Sequence, residues 1–300
     1  SAQLDSTDQT SGSNLTIGKA SSTVGNEVVI EQSVGVGSLL LKTDATTITV
    51  NDNKVLTLVG NGQNLISGAN GAVALRVGDT DADSGTLRLG TQAAPGSGGE
   101  INADIQVYAN SQILVEAGFF TNTGDISNAG SITVADQAAL ALAALENTGS
   151  VTIEGSMQVD RLTSSDASSA GTIQVGTDRA AGALQLGGET LAGNVIFLDP
   201  AWKTDSPNNI DEASRLVSEA TQLDGGVIAG RNSWAVLGTS SPQAFLDIFK
   251  RSGLTWGPNG ITAAAYLAKP VDVTSGLLIV DGSLTTQPSA AADGTVFFGA

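Results

Sequence analysis

The phrases GSITV (130–134), GSVTIEG (149–155), GTIQVG (171–176) and GALQLGG (182–188) decide how this chain is read. Each opens on glycine and alternates polar with apolar residues. In GTIQVG, Ile173 and Val175 share one face while Thr172 and Gln174 take the other. That period of two marks a half-buried strand. Earlier phrases repeat it: NLTIG (14–18), GTLRLG (85–90), and INADIQV (101–107) through Ile101, Ala103, Ile105 and Val107. Ile132, Val151, Ile173 and Val195 recur at intervals of roughly 19 to 22 residues, the range expected of a solenoid. A unit of about 20 residues with two or three short strands and tight turns is one coil of a parallel β-helix.

Composition suits that architecture. Of 300 residues, 37 are Gly, 41% are hydrophobic and only 4% are aromatic, so the core must be aliphatic. Val, Ile, Leu and Ala fill a narrow column, while Gly, Asn, Asp and Ser supply tight corners. The phrases NTG (122–124), NAG (128–130) and NTG (147–149) read as equivalent corners stacked on one another. A β-sandwich also spaces its strands at about 8–12 residues, but it gives no reason for repeated corners. The expectation is an all-β, right-handed parallel β-helix over 1–195 with a C-terminal capping segment over 196–300.

The composition shift behind that boundary is sharp. The first 107 residues contain no aromatic, whereas Trp202, Trp234, Trp256, Phe197, Phe245, Phe249, Tyr266, Phe297 and Phe298 all lie beyond position 196. Two helices are expected there. In SPQAFLDIFKRSG (241–253), Ser241 can cap, Pro242 suits the first turn, Phe245, Leu246 and Phe249 share a face, and Gly253 follows. In NIDEASRLVSEA (209–220), Asp211 and Glu212 sit in the favoured first turn, ahead of Leu216, Val217 and Ala220. An aromatic, less regular end would cover the last coil, whose open edge would otherwise aggregate.

Much chemistry is excluded. Without Cys there is no disulfide, thiolate nucleophile or iron–sulfur cluster, and without His the commonest general base and zinc ligand are missing. The net charge of -17 repels nucleic acid and anionic membrane. No apolar run is long enough to span a bilayer as a helix. No basic segment followed by an apolar run opens the chain, so an exported protein would have shed its signal peptide.

Few residues suggest a site. GDTDADSG (78–85) places Asp79, Asp81 and Asp83 at alternating positions, as a calcium loop can. Its glycine falls one position late, however, and position twelve is Gly90 rather than Glu, so the expected reading is a solvated acidic turn. No pair of acids stands out for a glycosidase or lyase. Lys250 and Arg251 are the lone basic pair, and Asp199 begins a turn before Pro200. Phe119 and Phe120 are an isolated apolar pair, either a core stack or an exposed patch, and the core stack is the expected reading. No catalytic, metal-binding or cofactor-binding residue is assigned.

VIFLDPAWK (195–203), GRNSWAVLG (230–238), GLTWGPNGITAAAYL (253–267) and SGLLIVDGSL (275–284) resemble the end of a bacterial autotransporter passenger of the self-associating, adhesin type. The preceding residues match that family only in style. The resemblance implies a stable, autochaperone-like terminal segment and export to the surface of a Gram-negative cell. It further implies a non-enzymatic role in adhesion, self-association or biofilm formation. The partner would be the chain itself on a neighbouring cell, or a host or abiotic surface. Membrane attachment would run only through a barrel that this sequence lacks. Two other roles fit a β-helix: an enzyme acting on polysaccharide, and a stalk for an absent effector.

Overall fold

The computed structural model describes residues 14–17, 26–30, 34–36, 38–41, 46–59, 61–66, 74–93, 96–163, 171–198, 210–230, 232–251, 253, 255–257, 261, 263–273, 277–280, 283–286 and 296–298. The chain divides into two compact units, Ser1–Ser150 and Val151–Ala300. Both are built from parallel strands stacked coil on coil, so the fold is a parallel β-helix with a short C-terminal helix.

In the first unit each early coil lays down three strands. They are β1 (Asn14–Ile17), β2 (Asn26–Ile30) and β3 (Val34–Val36), then β4 (Ser38–Leu41), β5 (Thr46–Val50) and β6 (Val55–Leu58). The third coil holds β7 (Asn61–Ile66), β8 (Ala74–Val77) and β9 (Thr86–Leu89), and the fourth β10 (Gly98–Ile101), β11 (Asp104–Val107) and β12 (Gln112–Val115). Next come β13 (Gly118–Asn128), β14 (Ser131–Val134) and β15 (Ala138–Asn147). The first face stacks β1, β4, β7, β10, β13 and β15, the second β2, β5, β8, β11 and β13, the third β3, β6, β9, β12 and β14. β13 pairs with both β10 and β11, because it turns the corner without interruption.

Alternation places the core. Ile48, Leu75, Ile105, Ile126 and Leu145 stand in register on the second face, all at most 3% exposed. Leu56, Leu87, Ile113 and Ile132 do the same on the third. The phrase 101–107 is two strands, not one: β10 ends at Ile101 and β11 starts at Asp104. Its inward residues Ile101, Ala103, Ile105 and Val107 are nonetheless all buried, since a coil bends around its core without changing sides.

The repeated corner phrases separate into two kinds. Asn128 lies in register with Asn147 and donates to its Oδ1 at 2.8 Å and to the Ser150 carbonyl at 3.2 Å. Gly149 follows close over Gly130: a Cβ there would lie 2.1 Å from the Gly130 carbonyl oxygen, so only glycine fits. NAG and the second NTG are therefore equivalent corners. The first NTG is a different corner. Asn122 pairs in register with Leu142, and its carboxamide reaches back to Ala103.

The second unit begins with β16 (Ser150–Ile153), β17 (Ser156–Thr163), β18 (Thr172–Val175), β19 (Ala183–Leu186) and β20 (Thr190–Leu198). It continues through β21 (Ser214–Ser218), β22 (Gln222–Ala229), β23 (Ser233–Leu237), α1 (Gln243–Arg251) and β24 (Ala263–Leu267). β25 (Asp272–Val273), β26 (Leu277–Val280), β27 (Ser283–Thr286) and β28 (Val296–Phe298) follow. One face stacks β17, β19, β21, β23, β24 and β27, the other β16, β18, β20, β22, β26 and β28.

Three expectations are corrected. Val195 pairs with Thr172, and it is Ile196 that stands over Ile173 and is buried. Counting residues cannot fix register, and a slip of one moves a side chain to the opposite face. The helix expected over 209–220 is a 3-10 turn, Ile210–Glu212, followed by strand β21. Leu216 points into the core while Val217 is buried on the outer side, so adjacent apolar residues imitate a helical stripe in a strand covered on both faces. Phe119 and Phe120 do not stack together in the core. Alternation buries Phe120 completely and leaves Phe119 56% exposed.

The helix expected over 241–253 forms over Gln243–Arg251. Ser241 Oγ accepts the Gln243 amide at 3.4 Å, Pro242 immediately precedes the first helical residue, and Gly253 takes the left-handed conformation beyond the end. Trp202, Asp199 and Pro200 lie outside the described residues.

Candidate functional site

The acidic loop leaves the solenoid at the corner between β8 and β9. Its three carboxylates do separate work. Asp83 Oδ2 accepts the amides of Asp79 and Thr80 at 3.0 and 2.7 Å and the Thr80 hydroxyl at 3.1 Å, so it caps the loop from inside. Asp81 Oδ1 accepts the Ala109 amide at 3.4 Å, and Asn110 Nδ2 donates to the Asp81 carbonyl at 2.6 Å, tying the loop to the next coil. Asp79 faces Arg76 at 3.7 Å, with both side chains about half exposed, an ion pair of little energetic value. Among the described residues no group of three or more potential ligands gathers in metal-binding geometry.

The neck of this loop is a device that recurs in the second unit. Gly78, with φ of 82°, and Gly85 bring their amides together, and Ser111 of the following coil plugs the gap. Its hydroxyl accepts the Gly85 amide at 3.1 Å and donates to the Asp83 carbonyl at 2.9 Å. A Cβ on Gly78 would strike that hydroxyl at 2.4 Å. Gly176, with φ of 85°, and Gly182 close the 176–182 loop in the same way, with the Ser214 hydroxyl accepting the Gly182 amide at 3.3 Å. Gly78 donates to the Val50 carbonyl and Gly176 to the Ile153 carbonyl, the same step in each coil. Sequence reading missed both serines. The available signal was a glycine pair flanking a polar stretch at matching places.

Asp52, also missed, fastens the loop from the other side. Its Oδ1 accepts the Ser84 amide at 2.9 Å and the Ser84 hydroxyl at 3.1 Å, and Asn53 Nδ2 donates to Oδ2 at 2.7 Å. The Ser84 amide, chief among these donors, holds the Asp52 carboxyl below the ordinary aspartate range. A depressed folded pKa gives stabilisation that is complete above the unfolded value of about 4 and disappears as pH falls through the folded value. Acidification below about pH 4 should therefore lower the protection of the Ser84 amide relative to the intrinsic exchange rate at each pH, and Asp52→Ala should abolish that pH dependence. A Ser84 amide equally protected at pH 2 and pH 6 would refute the link.

Outward rows line the walls, with Thr86 buried beneath its neighbours at 8% exposure. On the second face of the first unit, Arg76, Gln106, Ser127 and Glu146 stand in register, and on the third face Thr86, Gln112 and Ser131 do. Gln112 Nε2 donates to Thr86 Oγ1 at 3.2 Å, one rung of such a ladder.

In the second unit a polar row becomes apolar. Its residues in order are Gln158, Gln185, Val217, Val236 and Tyr266, and beside it Arg215 is followed by Trp234 and Ala264. Helix α1 covers the apolar part. Phe245 lies 5.7 Å from Trp234 and 5.8 Å from Tyr266 between ring centroids, and Phe249 lies 5.9 Å from Trp256. Trp234 Nε1 donates to the Ile210 carbonyl at 2.9 Å. β23 and β24 are consequently buried on both faces.

Fold and surface together define a parallel β-helix protein with ladder-bearing outer walls and an aromatic cluster under one helix. No known protein family, curated protein or solved structure matches the chain.

Proposed function

We propose that this chain is a passenger segment of an autotransporter, exported to a bacterial cell surface, and that it acts non-enzymatically in adhesion and self-association. The observation that supports this reading is the in-register repetition of outward side chains along parallel coils, as in Arg76, Gln106, Ser127 and Glu146. Such a wall offers regularly spaced, individually weak polar contacts, which sum by multivalency when two cells present arrays of them.

The aromatic cluster supports a second role for the C-terminal third, assistance to folding during secretion. Each coil gains its stability mainly from its neighbours, so a well-packed end can template the others. Cells displaying the chain should aggregate or bind surfaces. Absence of both would remove the adhesive role and leave a stalk. Truncation after about residue 195 should leave the remaining coils sensitive to protease, and full resistance would remove the folding role.

A further inference from the structure

We propose that the loops 78–85 and 176–182 are clasps, each of which makes three successive coils open together and so stops the coils from peeling away one at a time. The sequence states the device twice. TDADSGTLRLG (80–90) and TDRAAGALQLG (177–187) agree at the Thr, the Asp, both Gly and both Leu, and a Val-Gly pair, 77–78 or 175–176, stands before each. The second loop is one residue shorter between its flanking glycines, so the neck recurs while the contents of the loop vary.

In a solenoid each coil touches only its neighbours, and coils can therefore detach singly. A loop bonded both to the coil before it and to the coil after it removes that freedom. In the first unit, Asp52 of the second coil accepts the Ser84 amide and hydroxyl at 2.9 and 3.1 Å. Ser111 of the fourth coil fills the neck from the other side, accepting the Gly85 amide at 3.1 Å and donating to the Asp83 carbonyl at 2.9 Å. The two fastenings thus meet on adjacent residues, Ser84 and Gly85. Detaching the fourth coil strips the Gly85 amide of a buried acceptor and loosens the hold of Ser84 on the second coil. Detaching the second coil loosens the seat of Ser111 in turn.

The second unit assembles the same parts in the same order. Glu154 of the preceding coil accepts the Thr177 hydroxyl at 2.7 Å, and Ser214 of the following coil accepts the Gly182 amide at 3.3 Å. The first neck glycine sets the spacing in both: a Cβ on Gly78 or Gly176 would lie 2.4 or 2.0 Å from the serine hydroxyl oxygen. An acid from the coil before and a serine from the coil after are more than a turn needs, because turn chemistry is satisfied within the loop itself. Their joint recurrence points to coupling between coils. The proposal does not depend on the adhesive reading.

Native-state hydrogen exchange on the complete chain, followed residue by residue over a denaturant series, tests the first clasp. In the wild type the amides of β5 and β12 should exchange through one shared opening, with equal protection and equal denaturant dependence. Ser111→Ala and Asp52→Ala should each split that opening and leave the two strands at least about tenfold apart in protection. Asp52 is exposed, so its variant leaves the core intact. Ile113→Val trims the buried core of the fourth coil away from the loop and should lower both strands together. Separate openings of β5 and β12 in the wild type would overturn the clasp. So would one shared opening in both clasp variants, or a split in Ile113→Val as wide as that in Asp52→Ala. In the second unit, Glu154→Leu should divide β16 from β21 in the same manner. Glu154→Gln, which still accepts the Thr177 hydroxyl, should not, and equal behaviour of these two variants would overturn the second clasp.

Discussion

Trp234→Ala should destabilise the second unit by about 3–5 kcal/mol, the usual cost of truncating a buried aromatic. Trp234 is 1% exposed, and its ring is seated between β23 and the Phe245 ring of α1. Truncation removes the surface on which the helix rests and leaves the Ile210 carbonyl without the indole donor. Denaturant unfolding followed by far-ultraviolet circular dichroism gives the magnitude. Hydrogen exchange should locate the loss in β21, β23, β24 and α1. Trp234→Phe should recover most of the packing while retaining a deficit of about 0.5–1.5 kcal/mol for the lost hydrogen bond, since the Ile210 carbonyl still accepts the Ala213 amide at 3.3 Å. A loss below about 1 kcal/mol for the alanine variant would mean that α1 does not pack on this sheet.

Asn122→Leu should cost the first unit about 2–5 kcal/mol although the replacement is apolar and of similar volume. Asn122 is 3% exposed at a corner where the backbone leaves the regular ladder. Its Oδ1 accepts the Ala103 amide at 3.2 Å, and its Nδ2 donates to the carbonyls of Ala103 and Gly124 at 3.0 and 2.9 Å. Leucine keeps the volume and abandons three backbone groups in a buried place, which is the expensive half of the hydrogen-bond balance. Thermal unfolding of the variant gives the size of the effect, and faster exchange at Ala103 identifies its origin. Unchanged protection at Ala103 would show that water satisfies this corner instead.

The strands were legible because their signal is local. GTIQVG became β18 and GALQLGG became β19, with Ile173, Val175, Leu184 and Leu186 buried as alternation required. Helix α1 was legible for a similar reason, since Ser241, Pro242 and Gly253 act within a turn or two of the residues they delimit. The 209–220 segment was not legible. Its burial on two sides depends on a helix that follows it in the chain, and a strand covered on both faces loses the alternation that identifies strands. The serine plugs were equally hidden, because Ser111 and Ser214 act on glycines of the preceding coil.

The amino-acid order by itself determined that this chain folds as stacked coils with an aliphatic interior, corners of Asn and Gly, and an aromatic end, since alternation and turn chemistry are settled within a few residues. Only the tertiary structure decided which residue stands on which. It placed Ile196 rather than Val195 over Ile173, sent Phe119 outward and Phe120 inward, and directed three aspartates to three different partners. Those outcomes depend on how much chain each corner absorbs before the next strand begins. Register is fixed by the pairing of whole coils, and no single stretch of residues carries it.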